Sequence, residues 1–285
     1  MPRTYNDLYL DIRRVLVKEN VLQPSLEARE IVCYAAGKSK EDFFKSARVY
    51  VPEYVERESG ALLERRLLGE PLAYVIGEWE FMGHTFDIDE NVLVPRPDTE
   101  LLCETAIEAA KGFGEPRILD LCTGSGCVGV SIALAVKDSK LILGDISGKA
   151  LSVARGNIRR HTLSTQAACV VVDALRPASI SIGQFDMIVA NPPYIPSGDI
   201  FGLDISVKNF EPVIALDGGE DGLDFFISIA KGFKHVLKKG GCLIFECGIG
   251  QAERIVQLLD KNGYSEITVH NDMSGIERVI KCILV

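Results

Sequence analysis

The sequence is short of what a metal site, a disulfide scaffold or a membrane span requires. Histidine occurs four times, at His84, His161, His235 and His270, dispersed along the chain. Eight cysteines are present, but none forms a Cys-x-x-Cys pair and no histidines follow at zinc spacing. That excludes the usual ligand sets of structural zinc, and no metal is expected. Several cysteines stand in apolar runs, such as Cys169 in AACVVVD and Cys242 in GGCLIFE. There a thiol acts as a small hydrophobe, and reduced thiols fit a reducing compartment. No apolar run approaches the roughly 20 residues that span a bilayer. The opening MPRTYNDLYLDIRRVL lacks the apolar segment of a secretory signal. A cytoplasmic protein with no membrane partner is therefore expected, and it is expected to be a monomer. Positive charge is also scarce: 31 Lys and Arg stand against 40 Asp and Glu, a net charge of -9. Proteins that grip duplex DNA usually show a basic face, so no direct nucleic-acid partner is expected. A basic protein partner is compatible with this charge.

What is present is an ordinary globular balance, 47% hydrophobic and 25% charged over 285 residues, enough for two domains. Residues 1–76 predict a small helical bundle. Leu8, Ile12, Val15 and Leu16 fall on one helical face. Pro24-Ser25 restarts the pattern with Ser25 as an N-cap, Ser39 with Asp42 forms a second cap, and Pro52 opens a stretch that stops at Gly69. Such a bundle fits either added stability or substrate recognition. Residues 77–95, GEWEFMGHTFDIDENVLVP, alternate aromatic and polar residues around Gly83 and Asn91 and predict a linking β-hairpin. Residues 96–285 alternate strands and helices. Strands are predicted at 117–122, 140–146, 168–173, 185–190, 241–247, near 265–270 and at 277–284, with helices at 128–136, 150–160 and 223–237. That alternation implies an α/β fold with a mostly parallel sheet covered on both faces. In such sheets ligands bind beyond the C-terminal strand ends.

The first of these strands runs into Asp120-Leu121-Cys122-Thr123-Gly124-Ser125-Gly126. Gly124 and Gly126 permit a tight turn and close approach to a ligand. With Gly129 they satisfy Gly-x-Gly-x-x-Gly, a weak signal that a dinucleotide site would share. Asp145 ends the second strand, where a carboxylate can accept from both hydroxyls of a ribose; Asp173 ends the third, within reach of an adenine amino group. Asp120 precedes Gly124 by four residues. An acid there suits a cofactor bearing an ammonium and a sulfonium and repels a pyrophosphate. Each aspartate alone reads equally well as a cap or turn residue; three on one rim do not.

The fourth strand ends in Asn191-Pro192-Pro193-Tyr194, the most specific signal in the chain. An amide or exocyclic amine nitrogen is a poor nucleophile because its lone pair is delocalised. A site that methylates it must accept both N–H groups and aim the lone pair at the methyl carbon. Asn191 offers a side-chain carbonyl and Pro192 a backbone carbonyl with no competing N–H. The two prolines stiffen the segment, and Tyr194 can stack on a flat amide or base. Alone, these residues would also make a plain turn.

Together with GEPLAYVIGEWEF (69–81), VLVPRPDTE (92–100), EPVIALDGGEDGL (211–223) and DMSGIERV (272–279), these motifs resemble the HemK/PrmC protein-(glutamine-N5) methyltransferases. The resemblance runs from residue 69 to near the C-terminus. It implies a seven-stranded, Rossmann-like class I methyltransferase domain with a last antiparallel hairpin, preceded by the helical domain. It implies S-adenosylmethionine held by Asp120, Cys122, Thr123, Gly124, Ser125, Gly126, Asp145, Ile146, Asp173, Ala174 and Asn191. Asn191, Pro192, Pro193 and Tyr194 would bind the substrate glutamine, with Asn191, Pro192 and Tyr194 catalytic. The implied substrate is the glutamine of the Gly-Gly-Gln motif in class-1 peptide chain release factors. Two residues depart from the family pattern: Cys122 where glycine is usual, and Ala174 where a larger residue is common.

Arg96 and Glu100 read as a helix start near the site. Glu211 reads either as ordering a loop over the substrate or as a cap neighbour. Trp79 reads as hairpin packing, and the histidines receive no role. The rival readings are a ribosomal-protein glutamine methyltransferase, a nucleic-acid adenine or cytosine amino methyltransferase, an NAD-dependent oxidoreductase and a cofactor-binding protein without catalysis. The acidic charge argues against nucleic acid, and Asp120 with Asn191–Tyr194 gives the oxidoreductase no support.

Overall fold

The structure, a computed structural model, describes residues 2–285. These fall into two compact units: the chain up to Gly77 with Ile205–Phe210, and Glu78–Asp204 with Glu211–Val285.

The first unit is helical. Its helices are α1 (Tyr5–Lys18), α2 (Pro24–Ala36), α3 (Lys40–Ser46), α4 (Glu53–Leu67) and α5 (Leu72–Ile76). α1 starts at a capping box: Thr4 and Asp7 each accept the other's backbone N–H, at 3.2 and 2.9 Å, satisfying donors that the first turn cannot. It buries Tyr5, Leu8, Ile12 and Leu16, spaced by three and four residues. Val15, expected on that face, is exposed. Ser25 is not the cap of α2. The helix starts one residue earlier, at Pro24 after Gln23, and the Ser25 hydroxyl accepts from Arg13 Nε at 2.8 Å. Proline needs no hydrogen bond at the first helical position, so it can open the helix without a side-chain cap. Ser39 does cap α3, accepting from Asp42 N–H at 3.1 Å. Arg66 ties α4 to α2 through Glu27 at 2.6 and 3.1 Å.

The second unit opens with a hairpin of β1 (Glu78–Phe81) and β2 (His84–Asp87), in which Trp79 faces Phe86. The hairpin groups with this unit rather than standing between the two. In chain order follow α6 (Thr99–Ala110), β3 (Arg117–Leu121), α7 (Cys127–Ala135), β4 (Lys140–Asp145), α8 (Gly148–Arg160), β5 (Ala167–Val171) and β6 (Phe185–Ala190). One turn, α9 (Ile205–Lys208), groups with the first unit. Then come α10 (Asp224–Gly232), β7 (Leu237–Glu246), α11 (Ala252–Lys261), β8 (Tyr264–Asn271) and β9 (Glu277–Leu284). The helix expected to reach residue 237 stops at Gly232, and β7 begins four residues before the expected strand.

Seven strands form one sheet in the order β5-β4-β3-β6-β7-β9-β8. The first five are parallel; β9 runs antiparallel to both β7 and β8. This is the Rossmann-like arrangement with a closing antiparallel hairpin. After β3 the chain builds outward through β4 and β5, then returns to lay β6 on the other side of β3. That reversal opens a crevice at the C-terminal strand ends. The central strands are buried on both faces, in keeping with their mostly apolar sequences RILDL and FDMIVA. Phe185, Phe226, Phe233 and Phe245 are at most 1% exposed, and Phe226 meets Phe245 edge to face at 5.2 Å. Replacing Phe245 by Ala is expected to lower stability by about 3–5 kcal/mol in chemical denaturation, because neighbours locked in a sheet collapse poorly into the cavity.

Candidate active site

Strand register sets the site. Leu121 of β3 pairs with Gly144 of β4 and with Ala190 of β6, and Ala190 pairs with Phe245 of β7. The next residue on each strand therefore stands at one level: Asp145 and Glu246 as the last of β4 and β7, Cys122 and Asn191 as the first beyond β3 and β6. A cleft opens there, and Asp120, Cys122, Thr123, Gly124, Ser125, Asp145, Ile146, Asp173, Ala174, Asn191 and Pro193 all line it. Gly126, Pro192 and Tyr194 are outside its lining.

The loop after β3 is held at both ends. The Asp120 carboxylate, 2% exposed, accepts from the Thr123 hydroxyl at 2.5 Å and from Gly129 N–H at 3.0 Å. Thr123 N–H donates to Gly144 O at 3.1 Å. Between these anchors the backbone is left-handed at Cys122 (φ +60°), Gly124 (φ +53°) and Gly126 (φ +82°). Gly126 begins α7 where a Cβ would lie 3.0 Å from Leu143 and 3.3 Å from Ala154. Cys122 takes a conformation that costs a side chain about 1–2 kcal/mol, which is why glycine is the expected residue there. Burial pushes its thiol well up, and Asp145, Asp120 and Asp173 add to the shift, so it is a poor nucleophile.

The acids of the cleft are constrained. Burial pushes Asp120 up to about 7 against the pull of its two hydrogen bonds. Asp145 is also raised by burial, although its oxygens accept from Gly124 N–H and Ser147 N–H, each at 2.9 Å. One lone pair per oxygen remains free for a ligand. Asp173 accepts from Leu175 N–H at 2.9 Å and pairs with Arg176.

Asn191 sits at the end of β6 with its Nδ2 3.3 Å from Thr99 Oγ1 at the head of α6. The Tyr194 hydroxyl donates to Glu246 Oε1 at 3.2 Å. The Tyr194 backbone carbonyl accepts from Gln251 Nε2 at 2.9 Å, and Gln251 Oε1 accepts from Gly248 N–H at 2.9 Å. The segment 216–222 seals the other side: Ile195 N–H donates to Leu216 O and Gly218 N–H to Ile195 O. A Cβ on Gly218 would lie 2.7 Å from Tyr194 Cα, and one on Gly222 2.3 Å from Tyr194 O. The EPVIALDGGEDGL motif thus owes Gly218 and Gly222 to close backbone packing against Tyr194. Glu211, at its start, is 4% exposed; it accepts from Val94 N–H at 3.3 Å and pairs with Arg96. It latches the 92–96 loop to the 212–215 loop, both of which line the cleft. Glu100 caps the β1–β2 turn, accepting from Met82 N–H at 2.8 Å.

Four supporting residues were not picked out from the sequence: Thr99, Asn157, Glu246 and Gln251. Asn157, fully buried in α8, exchanges hydrogen bonds with Asp87 and donates to Ser125 O at 2.9 Å, so it ties the hairpin to the glycine loop. Glu246 did leave a signal, an acid inside the apolar run GCLIFEC. Arg160 bridges Glu78 and Asp87 on the same hairpin.

Cys122→Gly is expected to keep or raise stability, while Cys122→Val loses about 1–2 kcal/mol because a β-branched residue resists positive φ. Thermal unfolding of the two variants checks this; equal losses would show that the loop bears no backbone strain.

Two family models match the chain: "PrmC N-terminal domain" over residues 7–77 and "Methyltransferase small domain" over residues 97–201. Among curated relatives, the release factor glutamine methyltransferase of Clostridium botulinum is 33% identical over 275 residues, covering 96% of this chain and 97% of that protein. The protein of the same name from Bordetella pertussis is 40% identical over 256 residues, covering 90% and 93%. Among solved structures, the hMettl16 catalytic domain in complex with MAT2A 3'UTR hairpin 6 matches with a TM-score of 0.59 at 15% identity, covering 79% of this chain and 82% of that one. At that identity the likeness speaks for the fold alone. The fold is that of methyltransferases, and with relatives this similar over nearly the full length the chain belongs to the release factor glutamine methyltransferase family.

Proposed function

We propose that this enzyme transfers a methyl group from S-adenosylmethionine to the side-chain amide nitrogen of the glutamine in the Gly-Gly-Gln motif of class-1 peptide chain release factors. The observation that carries the reading is the strand register, which sets Asn191 beside the acid-lined glycine loop. The relatives' names supply the substrate. No helix among the described residues is long and apolar enough to cross a membrane, in keeping with work in the cytoplasm.

The residues present fit the cofactor. Asp120 lies in the cleft wall as the counter-charge for an ammonium, and Asp145 retains lone pairs for ribose hydroxyls. Asp173 and Ala174 stand where adenine would lie, beside the apolar Val172 and Leu175. When bound, the group supplies an electrophilic methyl on a positively charged sulfur. The remaining work falls to the chain. Asn191 Oδ1 and the Pro192 carbonyl accept the two N–H groups of the substrate carboxamide and so direct its lone pair at the methyl. Their dipoles stabilise the positive charge that grows on nitrogen. Tyr194 serves from outside the cleft lining, its hydroxyl and carbonyl fixing the motif's exit direction. The product nitrogen is strongly acidic while cationic, so no strong base is needed.

Incubation with labelled cofactor is expected to label a release factor carrying Gly-Gly-Gln and not its Gln→Ala form; label in RNA, DNA or a ribosomal protein instead would overturn the assignment. Asn191→Ala is expected to lower turnover about 10- to 100-fold, since an amide N–H left unpaired in a dry site costs about 1–3 kcal/mol, while calorimetric cofactor binding persists. Affinity for the cationic cofactor is expected to rise between about pH 5.5 and 7.5 as Asp120 ionises, with a proton released on binding. An affinity flat across that range would remove Asp120 from the ammonium's contacts.

A further inference from the structure

The two ends of an Asn carboxamide have the same shape; only their partners decide which end faces where. If the reaction is the one proposed above, on which this inference rests, Asn191 must offer oxygen to the substrate. Presenting its NH2 instead would set donor against donor. Something in the fold must fix that choice.

Ala190 and Phe245 are register partners, so Asn191 and Glu246 leave adjacent strands side by side. Thr99 heads α6 over the same point, and both Thr99 and Glu246 are 2% exposed. Asn191 Nδ2 approaches Thr99 Oγ1 at 3.3 Å. Glu246 Oε1 takes the Tyr194 hydroxyl. Its Oε2 is buried with no hydrogen-bond partner, and donation from the Thr99 hydroxyl would favour the charged carboxylate. A threonine hydroxyl has one proton and two lone pairs. If that proton turns to a carboxylate, only lone pairs face Asn191, and Asn191 must answer with nitrogen.

We propose that Glu246 and Thr99 are positioning residues: Thr99 donates to Glu246, accepts from Asn191 Nδ2, and thereby leaves Asn191 Oδ1 as the acceptor for the substrate amide. The order of donation, Asn191 to Thr99 to Glu246, runs away from the substrate. It reverses when Glu246 carries a proton, because the carboxyl then donates and the Thr99 proton swings toward Asn191. Tyr194, donating to the same carboxylate, is held by the same charge.

The groups around Glu246 set when this happens. Arg278 on β9 favours the charge and Asp98 beside Thr99 opposes it. Cys127 at the head of α7 and Cys247 just beyond the end of β7 stay neutral, both thiols pushed up to about 12 by burial. Burial outweighs all of these and places the Glu246 carboxyl at about 7. The productive orientation is therefore gained as pH rises through neutrality. Asp120 titrates in the same range, so turnover must be read at saturating cofactor.

The test compares the full chain with Thr99→Ser, Thr99→Val and Glu246→Gln, measuring kcat on a release factor against pH and cofactor affinity by calorimetry. Thr99→Ser restores the hydroxyl and is expected within about twofold of the parent. Thr99→Val and Glu246→Gln are expected to lose about tenfold or more in kcat near pH 8, with cofactor affinity kept within about twofold. The rise of kcat through about pH 7 is expected in the parent and absent in Glu246→Gln. Should Thr99→Val not fold, the near-isosteric Glu246→Gln profile decides. Parental kcat and pH profile in Glu246→Gln overturn the inference, as does a loss of cofactor binding that matches the loss of turnover. A parent that labels no release factor instead overturns the functional reading, and this inference falls with it.

Discussion

The parallel pairing of β3 with β4 on one side and β6 on the other fixes everything at the rim. Leu121 opposite Gly144 and Ala190 brings the glycine loop, Asp145 and Asn191 together at the strand ends. The side-chain period of a strand is two, so a slip of one residue would turn Asp120 or Asn191 to the other face. Register is well specified here because both faces of these strands are buried. The reversal of strand order at β3 then parts the loops and leaves space between them. The chemistry is thus set by hydrogen-bond ladders and apolar packing before any polar residue of the site acts.

Polar residues do the finer holding, and most of them face backbone rather than ligand. Asp120 braces its own loop, Asp145 holds Gly124, Asn157 holds Ser125, and Gln251 holds Tyr194. Each replaces water for a buried N–H or C=O that no helix or strand satisfies. Cys122 shows how firm this holding is. Lying between Leu121, paired in the sheet, and Thr123, whose N–H is committed to Gly144, it is kept at positive φ despite its Cβ.

The strands, the glycine loop and the Asn191 motif were legible because each obeys a local rule. Apolar runs of five or six residues bounded by turn formers can scarcely be anything but buried strands in a β-α-β alternation. The mostly parallel sheet followed from that alternation, and the seven strands with a closing antiparallel hairpin from the resemblance. The misplacements have local causes too. Ser25 and Pro24 are both plausible helix openers, and sequence does not say which hydroxyl a distant arginine will claim. Thr99 and Gln251 gave no signal, because a threonine at a helix start and a glutamine before an amphipathic run are commonplace. Their partners lie 92 and 57 residues away, and only the folded sheet brings them together. Glu246 was the exception, a lone charge where its neighbours are Phe245 and Cys247.

Burying Asp120 and Glu246 works against the fold. A carboxyl whose folded pKa lies above its unfolded one binds its proton more tightly when folded. Its contribution is therefore most favourable below the unfolded pKa and is lost as pH rises through the folded value. Both groups sit at about 7 in the folded chain against 3.8 and 4.5 unfolded, so both work against stability by neutral pH. The hydrogen bonds that Asp120 takes from Thr123 and Gly129, and Glu246 from Tyr194, offset only part of that cost. Under the function and the donation order proposed above, what the charges provide is direction: one would meet a cationic ligand, and the other would give a chain of hydroxyls and an amide a single sense of donation. The rim is the part of the molecule where stability has been exchanged for a fixed polarity, while the phenylalanine-rich core beneath it carries the fold.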